Sequence, residues 1–157
     1  MKPRGSGSLF SMERAKKWGF IDAHGRIVIA PQFDLVRDFF EGLAAIEKGG
    51  KSGFIDERGH VAFWLPGNIH PVGSFSEGLA PFQVGDNWGY LDTAGRVAIR
   101  PQFYDVNPFC DGLARVWVLA KEKRFDYIDH AGKFVIPPRY WVAYDFSNGL
   151  AMVREPR

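Results

Sequence analysis

Cysteine is nearly missing from this chain. Its 157 residues include one, Cys110, so no internal disulfide framework can hold the fold, and a reducing compartment fits. Long apolar runs are missing too. None approaches the roughly 18–20 residues that a membrane-spanning helix needs. Lys2 and Arg4 are not followed by an apolar stretch. No secretory signal is visible, and a cytoplasmic location is expected. Leaderless export, or origin within a larger chain, stays open. Neither sign of charge dominates: the net charge of +2 is too small to argue for nucleic acid on its own. No Gly-rich phosphate loop, paired zinc motif or Ser-His-Asp signature appears, so no enzyme activity and no cofactor are expected.

What the chain has is repetition. Aromatic residues make up 15% of it, with 14 Phe, and Gly occurs 18 times. That combination points to short strands joined by tight turns. One unit recurs four times at a spacing of about 34–37 residues. Its clearest copy is Lys17-Trp18-Gly19-Phe20-Ile21-Asp22-Ala23-His24-Gly25, then Pro31-Gln32-Phe33-Asp34, then Phe40-Glu41-Gly42-Leu43-Ala44. It returns around Gly53-Phe54-Ile55-Asp56, Trp88-Gly89-Tyr90-Leu91-Asp92 and Asp126-Tyr127-Ile128-Asp129. Such a period marks an array whose units bury their cores against neighbours.

Every copy keeps Asp-x-x-Gly between two strand-like runs: Asp22/Gly25, Asp56/Gly59, Asp92/Gly95 and Asp129/Gly132. Asp at the first turn position bonds back to turn amides, and Gly at the fourth accepts a left-handed backbone. A further strand opens at each Gly-Leu-Ala: Leu43 to Glu47, Leu79 to Val84, Leu113 to Leu119 and Leu150 to Arg154. The unit is thus a three-stranded meander followed by a Pro-containing loop. Pro31, Pro66, Pro101 and Pro138 are expected to end the third strand, because Pro cannot donate to a ladder. The second loop, Pro66-Gly67-Asn68-Ile69-His70-Pro71, should depart from the others.

Residues 8–19 align without a gap to residues 42–53, so residues 9–13 are a degraded first strand. This gives a flexible lead-in at 1–8 and one repeat domain at 9–154. Its units run approximately 9–42, 43–78, 79–112 and 113–149. A lone strand at 150–154 remains, expected to hide an open sheet edge. The expected fold is all-β: four tandem three-stranded antiparallel meanders in an open, twisted array. Closure into a small propeller-like ring is the alternative.

These spaced elements resemble the WG-repeat, or KWG-repeat, family from about residue 9 to 154. The Trp-Gly pair survives at Trp18-Gly19 and Trp88-Gly89, and becomes Ser52-Gly53 and Phe125-Asp126 elsewhere. The resemblance implies a bacterial β-repeat module with no catalytic residue to carry over. It permits a bacterial effector or a toxin-neutralising immunity role.

Trp18 and Trp88 recur in phase and are expected to pack across hairpins. Trp64, Trp117 and Trp141 are tryptophans unique to their units and not explained by the repeat, so they are binding candidates, as Trp anchors protein interfaces. The turns before the Gly-aromatic strands are basic in three copies and broken by Asp86-Asn87 in the third, with Lys48, Lys51, Lys121 and Lys123 as candidates for an anionic ligand, either nucleic acid or a lipid head group. The long loops are acidic. Stacking is expected to separate a basic edge from an acidic edge. His24, His60 and His130 lie near the Asp-x-x-Gly turns, but their differing offsets argue against a metal site. Cys110 has no fixed His beside it and is not expected to be a nucleophile. The leading expectation is a non-catalytic scaffold that recognises an unidentified protein partner along its loops.

Overall fold

The computed structural model describes residues 9–67, 69–71, 73–118 and 124–155. They divide into two compact units, one up to Phe75 and one from Ser76. All of the regular structure described is β, arranged as several small antiparallel sheets.

In the first unit, β1 (Phe10–Arg14), β2 (Lys17–Ile21) and β3 (Ile27–Phe33) form one sheet. Then β4 (Leu35–Val36), β5 (Leu43–Lys48), β6 (Lys51–Asp56) and β7 (Val61–Trp64) form a second, and β8 (His70–Pro71) follows. In the second unit, β9 (Leu79–Val84), β10 (Asn87–Asp92) and β11 (Val97–Phe103) make a meander. Next comes a sheet of β12 (Asp105–Val106), β13 (Ala114–Val118), β14 (Arg124–Ile128) and β15 (Phe134–Tyr140). Finally, β16 (Val142–Ala143) pairs with β17 (Val153–Arg154). The repeated meander is therefore present in all four copies, and β1 is the degraded strand.

The Asp-x-x-Gly turns form as their chemistry dictates. Asp22 Oδ1 accepts from the amides of His24 at 2.8 Å and Arg26 at 3.0 Å, and Gly25 has φ of 77°. A second, tighter turn precedes each Gly-Leu-Ala strand. Phe40 and Leu43 exchange both backbone hydrogen bonds at 3.0 Å, with Glu41 and Gly42 between them at positive φ. Glu77-Gly78, Asp111-Gly112 and Asn148-Gly149 repeat it. Positive φ at both central positions identifies a mirror-image hairpin turn, which Asn-Gly and Asp-Gly favour.

The prolines do not end the third strand. β3 runs through Pro31 and β11 through Pro101, and β15 likewise passes position 138; only β7 stops before its proline, Pro66. A bulge removes the need for a donor there. The step from Trp18 to Phe20 on β2 faces the longer step from Phe33 to Ile29 on β3. The extra backbone crosses Gly19, where a Cβ would overlap the Ile29 carbonyl oxygen and come within 2.7 Å of the Pro31 nitrogen. Gly89 sits identically beneath Ile99 and Pro101. The Gly of each Trp-Gly pair is thus required by contact, not by φ. Beyond the bulge the chain changes sheets: Leu35 and Val36 pair with Glu47 and Ile46, and Asp105 and Val106 with Trp117 and Val116. The expected loop is partly a strand that couples one meander to the next.

The middle strands are buried almost continuously, at Ser52–Ile55 on β6 and Gly89–Leu91 on β10. That burial requires cover on both faces. One aromatic pair recurs in every copy: Phe20–Phe39, Phe54–Phe75, Tyr90–Phe109 and Tyr127–Phe146, with ring centroids 4.8, 5.1, 5.0 and 4.9 Å apart. Each is worth about 0.5–1.5 kcal/mol beyond its area burial.

β17 closes one strand edge and opens another. It pairs with β16 on one side, and among the described residues no strand covers its other side. Leu150 and Met152 remain 78% and 66% exposed, so the segment covers the edge of β16 and presents an edge of its own.

Candidate binding surface

The non-repeated tryptophans take three different settings. Trp64 ends β7, where the second copy lacks the proline bulge. Its ring lies over Gly53: a Cβ built there would come within 2.7 Å of Trp64 Cε3. Even so, Trp64 is 42% exposed. Trp117 on β13 is half-buried, edge-on to Tyr104 at 4.4 Å and tilted against Phe125 at 6.4 Å. Trp141, just before β16, is 48% exposed, and its amide donates to the Arg154 carbonyl at 3.0 Å. Tyr144, also exposed, donates its amide to Met152 on the same ladder. The repeated Trp88 packs against the core around Tyr90 and Phe103.

The expected separation of basic and acidic edges does not occur in the first unit. The β4–β5 pairing carries Asp34 to the hairpin turns. Its carboxylate pairs with Lys17 and accepts the Gly49 amide at 2.7 Å. The Lys17 ammonium first, then that amide, hold the Asp34 carboxyl below its ordinary range. Lys48 Nζ donates to Gln32 Oε1 at 2.8 Å and lies 5.7 Å from the Phe33 ring centre. Lys51 is exposed on β6, its Cα opposite that of Lys48. Lys121 and Lys123 lie outside the described residues.

Acidic residues of the second unit serve the turns. The Gly112 amide donates to Glu77 Oε2 at 3.1 Å, and the Gly149 amide to Asp111 Oδ2 at 2.9 Å. Each acidic turn residue thus ties down the turn of the next copy. His130 adds to this ladder. Its Nε2 lies 3.0 Å from Glu77 Oε2, and its ring stacks on Phe109 at 4.4 Å. His60 Nδ1 lies 3.4 Å from Asp56 Oδ2, while His24 is exposed. Among the described residues no group of three or more His, Cys, Asp or Glu could hold a metal ion. Burial, followed by the nearby carboxylates of Asp111, Glu77 and Asp145, raises the Cys110 thiol pKa. That works against a thiolate nucleophile.

Two notable residues escaped the sequence reading. Arg115 stands where earlier copies have Ala45 and Pro81. Its guanidinium donates to Asn107 Oδ1 at 2.8 Å and to the Ala143 carbonyl, and lies 3.4 Å from Asp145. It ties β13 to β16 and to Asn107 just after β12, and a charged residue in a strand otherwise apolar was its signal. Asp126 occupies the Gly position of the Trp-Gly pair and is 1% exposed. Its Oδ1 finds no hydrogen-bond partner among the described residues, and burial pushes its pKa up to about 6.

Among the described residues no helix is long and apolar enough to cross a membrane. No curated protein matches the chain. A crystal structure of a Bacteroides caccae protein of unknown function is similar at 15% identity and a TM-score of 0.44. The likeness covers 92% of this chain and 63% of that one, so this chain spans less than two thirds of the other's length. The family profile described as "WG containing repeat" matches residues 18–51, 53–88, 88–116 and 127–155. Each match opens within the middle strand of one meander, at β2, β6, β10 and β14, and the chain belongs to the WG-repeat family.

Proposed function

We propose that this protein is a non-catalytic scaffold for protein–protein recognition. The observation that carries this reading is the exposure of Trp64 and Trp141, where no other copy has a tryptophan, although Tyr104 takes the Trp141 position in the third copy. A large exposed aromatic that the repeat does not demand supports an interface anchor. Trp117 contributes less, being held between Tyr104 and Phe125.

The charged groups support the same choice over an anionic ligand. Lys17 and Lys48 are engaged by Asp34 and Gln32. Several acidic residues hold turns. The reading extends to an effector or immunity role only through the identity of the partner.

The test is affinity capture from the source organism with the intact chain as bait, followed by mass spectrometry. Trp64→Ala and Trp141→Ala should each reduce capture of a specific protein while leaving the melting transition in place. Lys48→Glu with Lys51→Glu should change it little. Binding lost on the Lys reversals or in added salt, and indifferent to both Trp changes, would establish the anionic reading instead.

A further inference from the structure

The strand that opens on Gly-Leu-Ala is held on both sides in the complete sheets: β5 lies between β4 and β6, and β13 between β12 and β14. At the two ends this pattern is incomplete among the described residues. β1 pairs with β2 alone, and β17 with β16 alone. We propose that the chain associates head to tail, β17 of one copy taking the place of β1 against β2 of a second copy. The product would be a sheet of β16, β17, β2 and β3, matching the order β4-β5-β6-β7 within the chain.

Three features make β17 the better occupant. The first is side-chain fit. The repeat register puts Ala44 opposite Ile55, Ala80 opposite Leu91 and Ala114 opposite Ile128, and all three alanines are fully buried. β1 offers Phe10 at this position, opposite Ile21, and Phe10 is 57% exposed. β17 continues from Gly149-Leu150-Ala151, the repeat's own sequence, and would set Ala151 opposite Ile21.

The second feature is charge. β1 places Arg14 directly opposite Lys17, and like charges so placed repel. The same register puts Glu155 of the incoming strand opposite Lys17, an attractive pair.

The third is strain in the β1–β2 turn. Ala15 and Lys16 have φ of 50° and 61°. The equivalent turn between β5 and β6 uses Gly49 and Gly50 at 58° and 76°, where glycine avoids the Cβ penalty. A short strained connection favours strand exchange between copies. Releasing β1 relaxes this turn and removes the Arg14–Lys17 opposition together.

The test mixes two full-length variants in a Cys110→Ser background, one with Ile21→Cys and the other with Ala151→Cys. Directly opposed strand residues lie within disulfide reach. Mild oxidation should give a 21–151 heterodimer in excess over both homodimers, rising with protein concentration. A chain carrying both cysteines should give dimers and longer ladders. Heterodimer at the homodimer level, or only internally linked monomer from the double variant, overturns the proposal. A cysteine-free check uses sedimentation velocity. Glu155→Lys should shift the distribution toward monomer and added Lys17→Glu should restore it, while Ala15→Gly with Lys16→Gly should also favour monomer. A distribution unmoved by all of these changes refutes strand exchange even if a cysteine variant fails to fold.

Discussion

The Tyr90 hydroxyl donates a 2.6 Å hydrogen bond to the backbone carbonyl of Asn107. Tyr127 makes the same bond to the Tyr144 carbonyl, also at 2.6 Å. Both hydroxyls tie a central strand to the segment that crosses to the next meander. The first two copies have Phe20 and Phe54 here and keep only the ring pairing. Tyr90→Phe should therefore fold, and cost about 1 kcal/mol, the net worth of one such bond. Chemical denaturation would measure it. A loss above about 3 kcal/mol would mean that the hydroxyl organises more than this bond.

Two glycines of one repeat should respond differently to the same change. Gly89→Ala drives a Cβ into the Ile99 carbonyl and the Pro101 nitrogen, and main chain gives way poorly. It should cost about 1–3 kcal/mol or more. Gly25 has open space around it but φ of 77°, so Gly25→Ala should cost about 1 kcal/mol from backbone strain alone. Equal losses in a thermal melt would contradict the bulge contact as the reason for the glycine in Trp-Gly.

Asp126 gives the fold an unusual pH response. Its folded pKa is about 6, against about 3.9 for an unfolded Asp. The ionised form is therefore the one that folding disfavours. The penalty is fully present above pH 6, shrinks as pH falls through 6, and is gone below about 4. Asp34 works the other way, since its lowered pKa contributes stability that is lost in stronger acid. Asp126→Asn should raise the melting temperature at pH 7–8 and leave it nearly unchanged at pH 4. A gain of equal size at both values would show that the effect is not ionisation.

Much of the fold was legible because local chemistry dictates it. Asp22 and Gly25 specify their turn, and the alignment of residues 8–19 with 42–53 locates β1 despite its altered sequence. Pro31 and Pro101 misled because the rule against proline in ladders presumes a regular ladder, and the bulge over Gly19 and Gly89 is non-local. The same bulge redirects the chain so that Asp34 meets Lys17, which undoes a charge separation inferred from loop position alone. Trp64 and Trp141 stood out because they break the repeat. Exposure then separates them from Trp117, whose neighbour Tyr104 lies 13 positions earlier in sequence.

The role of these two side chains is tested most directly by titrating the captured partner against the intact chain and the Trp64→Ala/Trp141→Ala variant. Melting of the free variant should show that it stays folded. The account predicts weaker binding by about 2 kcal/mol or more, roughly 30-fold. Affinity unchanged in the folded double variant would contradict recognition through the exposed tryptophans.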